Sequence, residues 1–201
     1  MSRLVVVTAG LSQPSSTRLL AERLAESTRR PLEAGGDPVE TVVVELRDLA
    51  HDVANNLLTG FAPPALARVA EQVAAADGLI AVTPIFNASY SGLFKSFFDV
   101  IDPVALRGKP VLIGATGGSQ RHSLALEHAV RPLFSYLAAV TVPTSVYAAS
   151  ADWGTAGGDD ALAERVDRAG AELAALITRI GPSAPADPFA AAPSFLDLLG
   201  R

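Results

Sequence analysis

The chain has 201 residues, a net charge of −5, no cysteine, 49% hydrophobic residues and 18% charged residues. At roughly 100–200 residues per domain this is one domain with a full core, and the acidic balance argues against a nucleic-acid footprint. Without thiols, disulfide scaffolds, thiolate zinc sites, iron–sulfur clusters and cysteine nucleophiles are excluded.

Along the chain, five short apolar runs recur: Leu4–Thr8, Thr41–Leu46, Gly78–Thr83, Pro110–Gly114 and Thr141–Tyr147. Each is nearly continuous rather than alternating, the signature of strands covered on both faces. Helical patterns fill the gaps. After the first run, Ser16 or Thr17 is placed to cap a helix with Leu20, Ala21, Leu24 and Thr28 on one face. Gly35-Gly36 and Pro38 end it. Pro63–Ala76 reads as the next helix. Leu93, Phe94, Phe97, Val100 and Ile101 mark a third, and Leu126, Val130, Leu133, Phe134 and Leu137 a fourth. In that fourth helix Pro132 deprives the His128 carbonyl of its partner; a local widening near His128 would relieve this, and a surface histidine beside a kinked helix is the equal alternative. The last helix carries Leu162, Val166, Ala169, Leu173, Leu176, Ile177 and Ile180, with Asp159 or Asp160 as its cap.

The order βαβαβαβαβα with right-handed crossovers predicts an α/β fold: a three-layer sandwich around a five-stranded parallel sheet of order 2-1-3-4-5. Ligands of such sheets lie beyond the carboxyl ends of the strands, at the switch point between the first and third. The domain is expected over 1–181. Residues 182–201 read as a proline-rich tail with Phe189, Phe195 and Leu199, either frayed or docked on this subunit or a neighbour. No apolar run is long enough for a membrane span. The first run starts too early for a secretory signal, so a cytoplasmic location is expected.

Three loops then hold the candidate chemistry. Ser12, Ser15, Ser16 and Thr17 place four hydroxyls within six positions leading into a helix. Hydroxyls and unpaired N–H groups at a helix N-terminus can hold a phosphate. Ordinary capping in a polar turn explains the same residues. Arg18, a cation in the first helical turn, is intrinsically unfavourable there, and a bound anion would remove the conflict. No G-x-x-x-x-G-K-[ST] and no G-x-G-x-x-G follows the first strand, so a mononucleotide fits better than a dinucleotide.

After the third strand stands Thr83-Pro84-Ile85-Phe86-Asn87-Ala88-Ser89-Tyr90-Ser91-Gly92. Pro84 is expected to stop the strand. Phe86 and Tyr90 beside amide and hydroxyl groups suit a flat heteroaromatic ring, or simply staple a turn. After the fourth strand, Thr116-Gly117-Gly118-Ser119 lets backbone N–H groups approach a ring edge closely, or is only a flexible turn. Trp153 either packs into the core, the reading favoured here, or walls the acceptor side. The three histidines have no metal-ligand spacing and no G-x-S-x-G elbow is present, so neither a metal site nor a serine hydrolase is expected.

The stretch Thr83-Pro84, Phe86-Asn87, Ser89-Tyr90-Ser91-Gly92 and Lys95, together with Ala115-Thr116-Gly117-Gly118-Ser119, His122, Leu126 and Arg131-Pro132, resembles the NAD(P)H-dependent FMN reductases of flavodoxin-like fold. The similarity is greatest to the branch that partners alkanesulfonate and luciferase-like monooxygenases. The resemblance implies an NAD(P)H:FMN oxidoreductase that uses NADPH or NADH and passes reduced flavin to a flavin-dependent monooxygenase. It also implies a homodimer or homotetramer. Ser12, Ser15, Ser16 and Thr17 would hold the FMN phosphate. Pro84, Ile85, Phe86, Asn87 and Tyr90 would contact the isoalloxazine and ribityl chain, and Thr116, Gly117, Gly118 and Ser119 would line the ring's polar edge. The flavin supplies the hard chemistry, so no catalytic acid or base is expected. Reduction of a quinone, azo dye or metal oxyanion by a retained flavin is one alternative; an electron carrier without NAD(P)H turnover is the other. In the reductase branch a tyrosine occupies the position of His128, so this chain departs from it there.

Overall fold

The computed structural model describes residues 1–154 and 158–181; the tail after 181, with the docking expected of it, lies outside them. Five strands form the parallel framework. β1 (Ser2–Thr8), β2 (Val39–Glu45), β3 (Gly78–Phe86) and β5 (Pro110–Gly117) run in the order β2-β1-β3-β5. The fifth position is shared by β6 (Val140–Thr141) and β7 (Val146–Ala149), both parallel to β5. This is the predicted flavodoxin-like order. The single run Thr141–Tyr147 is corrected: the Val142 N–H still donates to the Val111 carbonyl, Pro143–Ser145 leaves the ladder, and Val146 rejoins it. Pro143 lies in that gap, where its missing N–H breaks no ladder bond.

Alternation along the buried strands feeds two cores. Val5, Val7, Leu79, Ala81, Val111 and Ile113 join one cluster, while Leu4, Val6, Ile80, Val82 and Leu112 join the other. The second cluster is closed by α1 (Ser16–Ala34) and α6 (Gly158–Ile180), whose apolar faces lie against it. Leu20, Ala21, Leu24 and Thr28 are fully buried, as their spacing predicts. Ile180, assigned to the α6 face, is instead 46% exposed at the helix end. Asp159 and Asp160 lie inside the first turn of α6, where acidic groups complement the helix dipole.

The first cluster is closed by α2 (Ala50–Thr59), α3 (Pro64–Ala75), α4 (Gly92–Val100) and α5 (Arg131–Tyr136). It is the aromatic side: Phe94, Phe98 and Phe134 meet edge to face at 4.8–6.3 Å between ring centres. α2 was not legible in the sequence. It is short and Val53 is its one buried residue, although its apolar and polar residues segregate as well as those of α1.

The widening predicted from Pro132 is present. Leu126–Val130 forms a π-helical turn, and the Arg131 N–H donates to the Leu126 carbonyl five residues back. By contrast, Pro84 does not stop its strand. β3 continues to Phe86, and Pro84 stays in register with Thr116 of β5. The extended angles that a proline imposes on its predecessor are strand angles, and the strand then folds back as a hairpin. Ile85 pairs with Tyr90 and Phe86 with Ser89 of β4 (Ser89–Tyr90). The two turn residues, Asn87 and Ala88, have φ of 45° and 73°, a type I′ geometry that matches strand twist.

Candidate functional site

The carboxyl ends of β1, β3 and β5 converge beside the start of α1. Ser15, not Ser16 or Thr17, is the helix cap. Its backbone is extended, its Oγ accepts from the Arg18 N–H at 3.2 Å and its carbonyl accepts from the Leu19 N–H at 3.0 Å. A side chain on Gly10 would run into the Ser15 hydroxymethyl, so the chain leaves β1 by a route only glycine allows. The Thr17 and Thr116 hydroxyls, both buried, share a hydrogen bond of 2.8 Å, which ties the first helical turn to the end of β5.

Arg18 does not turn to the cavity described below. Its guanidinium pairs with Glu22 at 2.8 Å and with Glu45 at the end of β2, and those carboxylates raise its pKa. The conflict between a cation and the helix N-terminus is thus relieved by the protein's own carboxylates. Arg18 and Ser15 line a neighbouring recess of about 660 Å³ with Gln13, Glu45 and Arg47.

Beside that recess lies a cavity of about 410 Å³ that gathers all three loops. Ser12, Ser16 and Thr17 line one part of it; the N–H groups of Ser16 and Thr17 have no intrahelical partner. Pro84, Ile85 and Phe86 supply apolar and aromatic wall, and Thr116, Gly117 and Gly118 the glycine-rich edge. Beyond Gly118 a Cβ would meet nothing within 4 Å, so the backbone there borders open space. Phe86 and Leu11 leave 46% and 54% of their surface exposed among the described residues, an apolar lip to the cavity.

Four predicted residues stand outside this lining besides Arg18. Ser15 is occupied as the cap. Asn87 occupies the hairpin turn, and Tyr90 packs its ring 5.9 Å from that of Phe94. Ser119 turns its carbonyl away, where it accepts from the Tyr147 hydroxyl at 2.7 Å.

Leu11 and Ser150 also line the cavity without standing out in the sequence: Leu11 is one apolar residue in a hydroxyl-rich loop, and Ser150 follows the fifth strand rather than the first, third or fourth. Ser150 and Trp153 follow β7, one strand further along the sheet, and both line the cavity. Trp153 takes the core position favoured for it. It packs against the α1–α6 core and also walls the cavity, with the Arg23 guanidinium 5.1 Å from its ring centre. Arg23 is in turn held by Asp159 at 2.6 Å.

A pocket at the switch point of a doubly wound sheet, with hydroxyls and a helix N-terminus at one end and an aromatic wall and glycine edge at the other, defines a flavodoxin-like flavin-binding protein. FMN fits these residues: its phosphate matches the first end, its ring the second. Residues 2–154 match the family model described as NADPH-dependent FMN reductase. The chain is 40% identical over 151 residues to "FMN reductase (NADPH)" of Pseudomonas aeruginosa, covering 75% of this chain and 78% of that protein. It is 39% identical over 151 residues to "NADH-dependent FMN reductase SfnF" of Pseudomonas fluorescens, with coverage of 75% and 78%. An oxidoreductase structure from Corynebacterium diphtheriae superposes with a TM-score of 0.86 at 44% identity, over 89% of this chain and 98% of that one. The chain belongs to the NADPH-dependent FMN reductase family. It is an oxidoreductase whose substrates are a reduced nicotinamide and FMN.

Proposed function

We propose that the protein uses NADPH or NADH to reduce FMN at the cavity between β1, β3 and β5, and releases the reduced flavin to a flavin-dependent monooxygenase. One observation carries the assignment of the site: a single cavity joins the hydroxyl-rich loop, the Pro84–Phe86 strand end and the glycine edge. FMN supplies the ring that accepts the hydride.

The protein's own residues bind and orient. Ser12, Ser16 and Thr17 offer hydroxyls and first-turn N–H groups to the phosphate, where the helix dipole favours an anion. Ser15 fixes that turn from behind, and Arg18 steadies it from the recess through Glu45. Pro84, Ile85 and Phe86 present the face on which a ring packs, and the Asn87–Tyr90 hairpin stiffens that face. Thr116, Gly117 and Gly118, with Ser119 behind them, set the ring's polar edge. Backbone donors of this kind stabilise negative charge that grows on reduction. The exposed Leu11 and Phe86 at the cavity support a flavin that enters and leaves. Among the described residues no helix is long and apolar enough to cross a membrane; we place the protein in the cytoplasm, with the reduced nicotinamide pool. Exposed Leu57, Leu58 and Phe61 around the end of α2 support self-association as a dimer or tetramer.

The test is steady-state oxidation of NADH and of NADPH with and without added FMN, followed by transfer of the reduced flavin to a flavin-dependent monooxygenase. FMN-dependent oxidation with substrate turnover by the second enzyme is expected. Turnover that needs no added flavin and goes to a quinone or azo acceptor, or no nicotinamide oxidation at all, overturns the reading.

A further inference from the structure

The glycine-bearing edge of the cavity is held from behind by β7 and the turn after it. We infer that Tyr147 and Asp152 are positioning residues for Gly117–Gln120, fixing the backbone that meets the flavin ring. This rests on the flavin site proposed above.

Neither residue lines the cavity, and both grip the loop that does. Tyr147 is 6% exposed, and its hydroxyl donates to the Ser119 carbonyl at 2.7 Å. The same hydroxyl fills the space beside Gly117 that any Cβ would enter, so residue 117 and residue 147 are complementary. Asp152 grips the next residue. Its Oδ2 accepts from the Gln120 side-chain amide at 2.7 Å and from the Ala149 N–H at 2.8 Å, joining the loop to the end of β7 through one oxygen. Arg165 of α6 lies 3.9 Å from that oxygen.

Such support matters because paired glycines resist ordering more than other residues do. A loop that must be ordered at the moment of binding loses affinity, while one already held does not. Tyr147 suits a permanent donor. Burial, and secondarily the Asp152 charge, raises its pKa above the usual tyrosine value. The folded-state pKa lies above the unfolded one, so the hydroxyl stays protonated wherever a free tyrosine does, and its donation is lost only as pH rises through the raised folded-state pKa.

The experiment compares Tyr147→Phe, Asp152→Ala and Asp152→Asn in the full chain, with calorimetric titration of FMN and of riboflavin and a thermal melt of each variant. Tyr147→Phe keeps the ring and its packing, so it carries the test even where Asp152→Ala does not fold. The ring edge is common to both flavins, so each loss is shared equally between them. Tyr147→Phe should weaken both by about fivefold, and Asp152→Ala by about tenfold. Asp152→Asn, which retains an oxygen for the Ala149 N–H, should recover most of the loss. Flavin affinities equal to the wild type's in Tyr147→Phe, with or without a lowered melting temperature, overturn the inference and leave the function standing. A loss confined to FMN also overturns it, because that would place the two residues at the phosphate. If the wild-type chain binds neither flavin, the functional reading falls and takes this inference with it.

Discussion

The two ends of the cavity are built by different means. The hydroxyl end is mostly local: Ser12 to Thr17 fall within one loop and one helical turn, and Ser15 organises them by capping that turn, with Thr17 also tied to the distant Thr116. The glycine end is borrowed. Gly117 and Gly118 carry no side chain to hold themselves, and their position comes from Tyr147 and Asp152 more than 25 residues later in sequence. A charge is met by groups the chain supplies at short range, whereas a flat ring edge needs bare backbone, which something distant must keep in place.

The contrast makes the two ends separable by mutation. The largest effect is expected from Ser12→Ala with Ser16→Ala. Loss of two hydrogen bonds to a charged phosphate amounts to about 3 kcal/mol, or about a hundredfold weaker FMN binding. Riboflavin, which has no phosphate, should bind as before; equal losses in parallel titrations would erase the distinction. Gly118→Val comes next. It places a branched side chain in the open space beside the ring edge, and overpacking of about 2 kcal/mol should weaken FMN and riboflavin alike. Unchanged affinity would remove that loop from the site. Ser15→Ala should act on the fold first, lowering stability in denaturant unfolding by about 1 kcal/mol through the lost cap. An intact midpoint would show that the first turn holds itself. The smallest effect belongs to the hairpin. Ala88→Gly relieves a non-glycine residue at φ 73° and should raise stability by about 0.5 kcal/mol, net of the added freedom of the unfolded chain. A destabilised variant would show that the turn is shaped by its side chain.

The same contrast explains how much the sequence disclosed. Features written in short range were legible: the buried strands and their order, the serine cluster, and the widened turn that Pro132 forces near His128. Features that depend on a partner far along the chain were not. Arg18 is a mixed case: Glu22 lies one turn on in the sequence, but Glu45 reaches it only once β2 lies beside β1. Ser150 escaped because it follows the fifth strand, one strand beyond the loops that the switch point singles out. α2 escaped for a different reason: it is ten residues long and buries only Val53, so it contributes little to the core that the apolar pattern marks.

Trp153 is the only tryptophan in the chain, and it stands in the cavity wall. Its indole emission overlaps flavin absorption, so a ligand arriving at that wall dims it. With flavin seated as proposed, the native protein would carry an optical gauge of its own occupancy. Loading, exchange and departure of flavin can be followed in real time, without a label and before any nicotinamide is added.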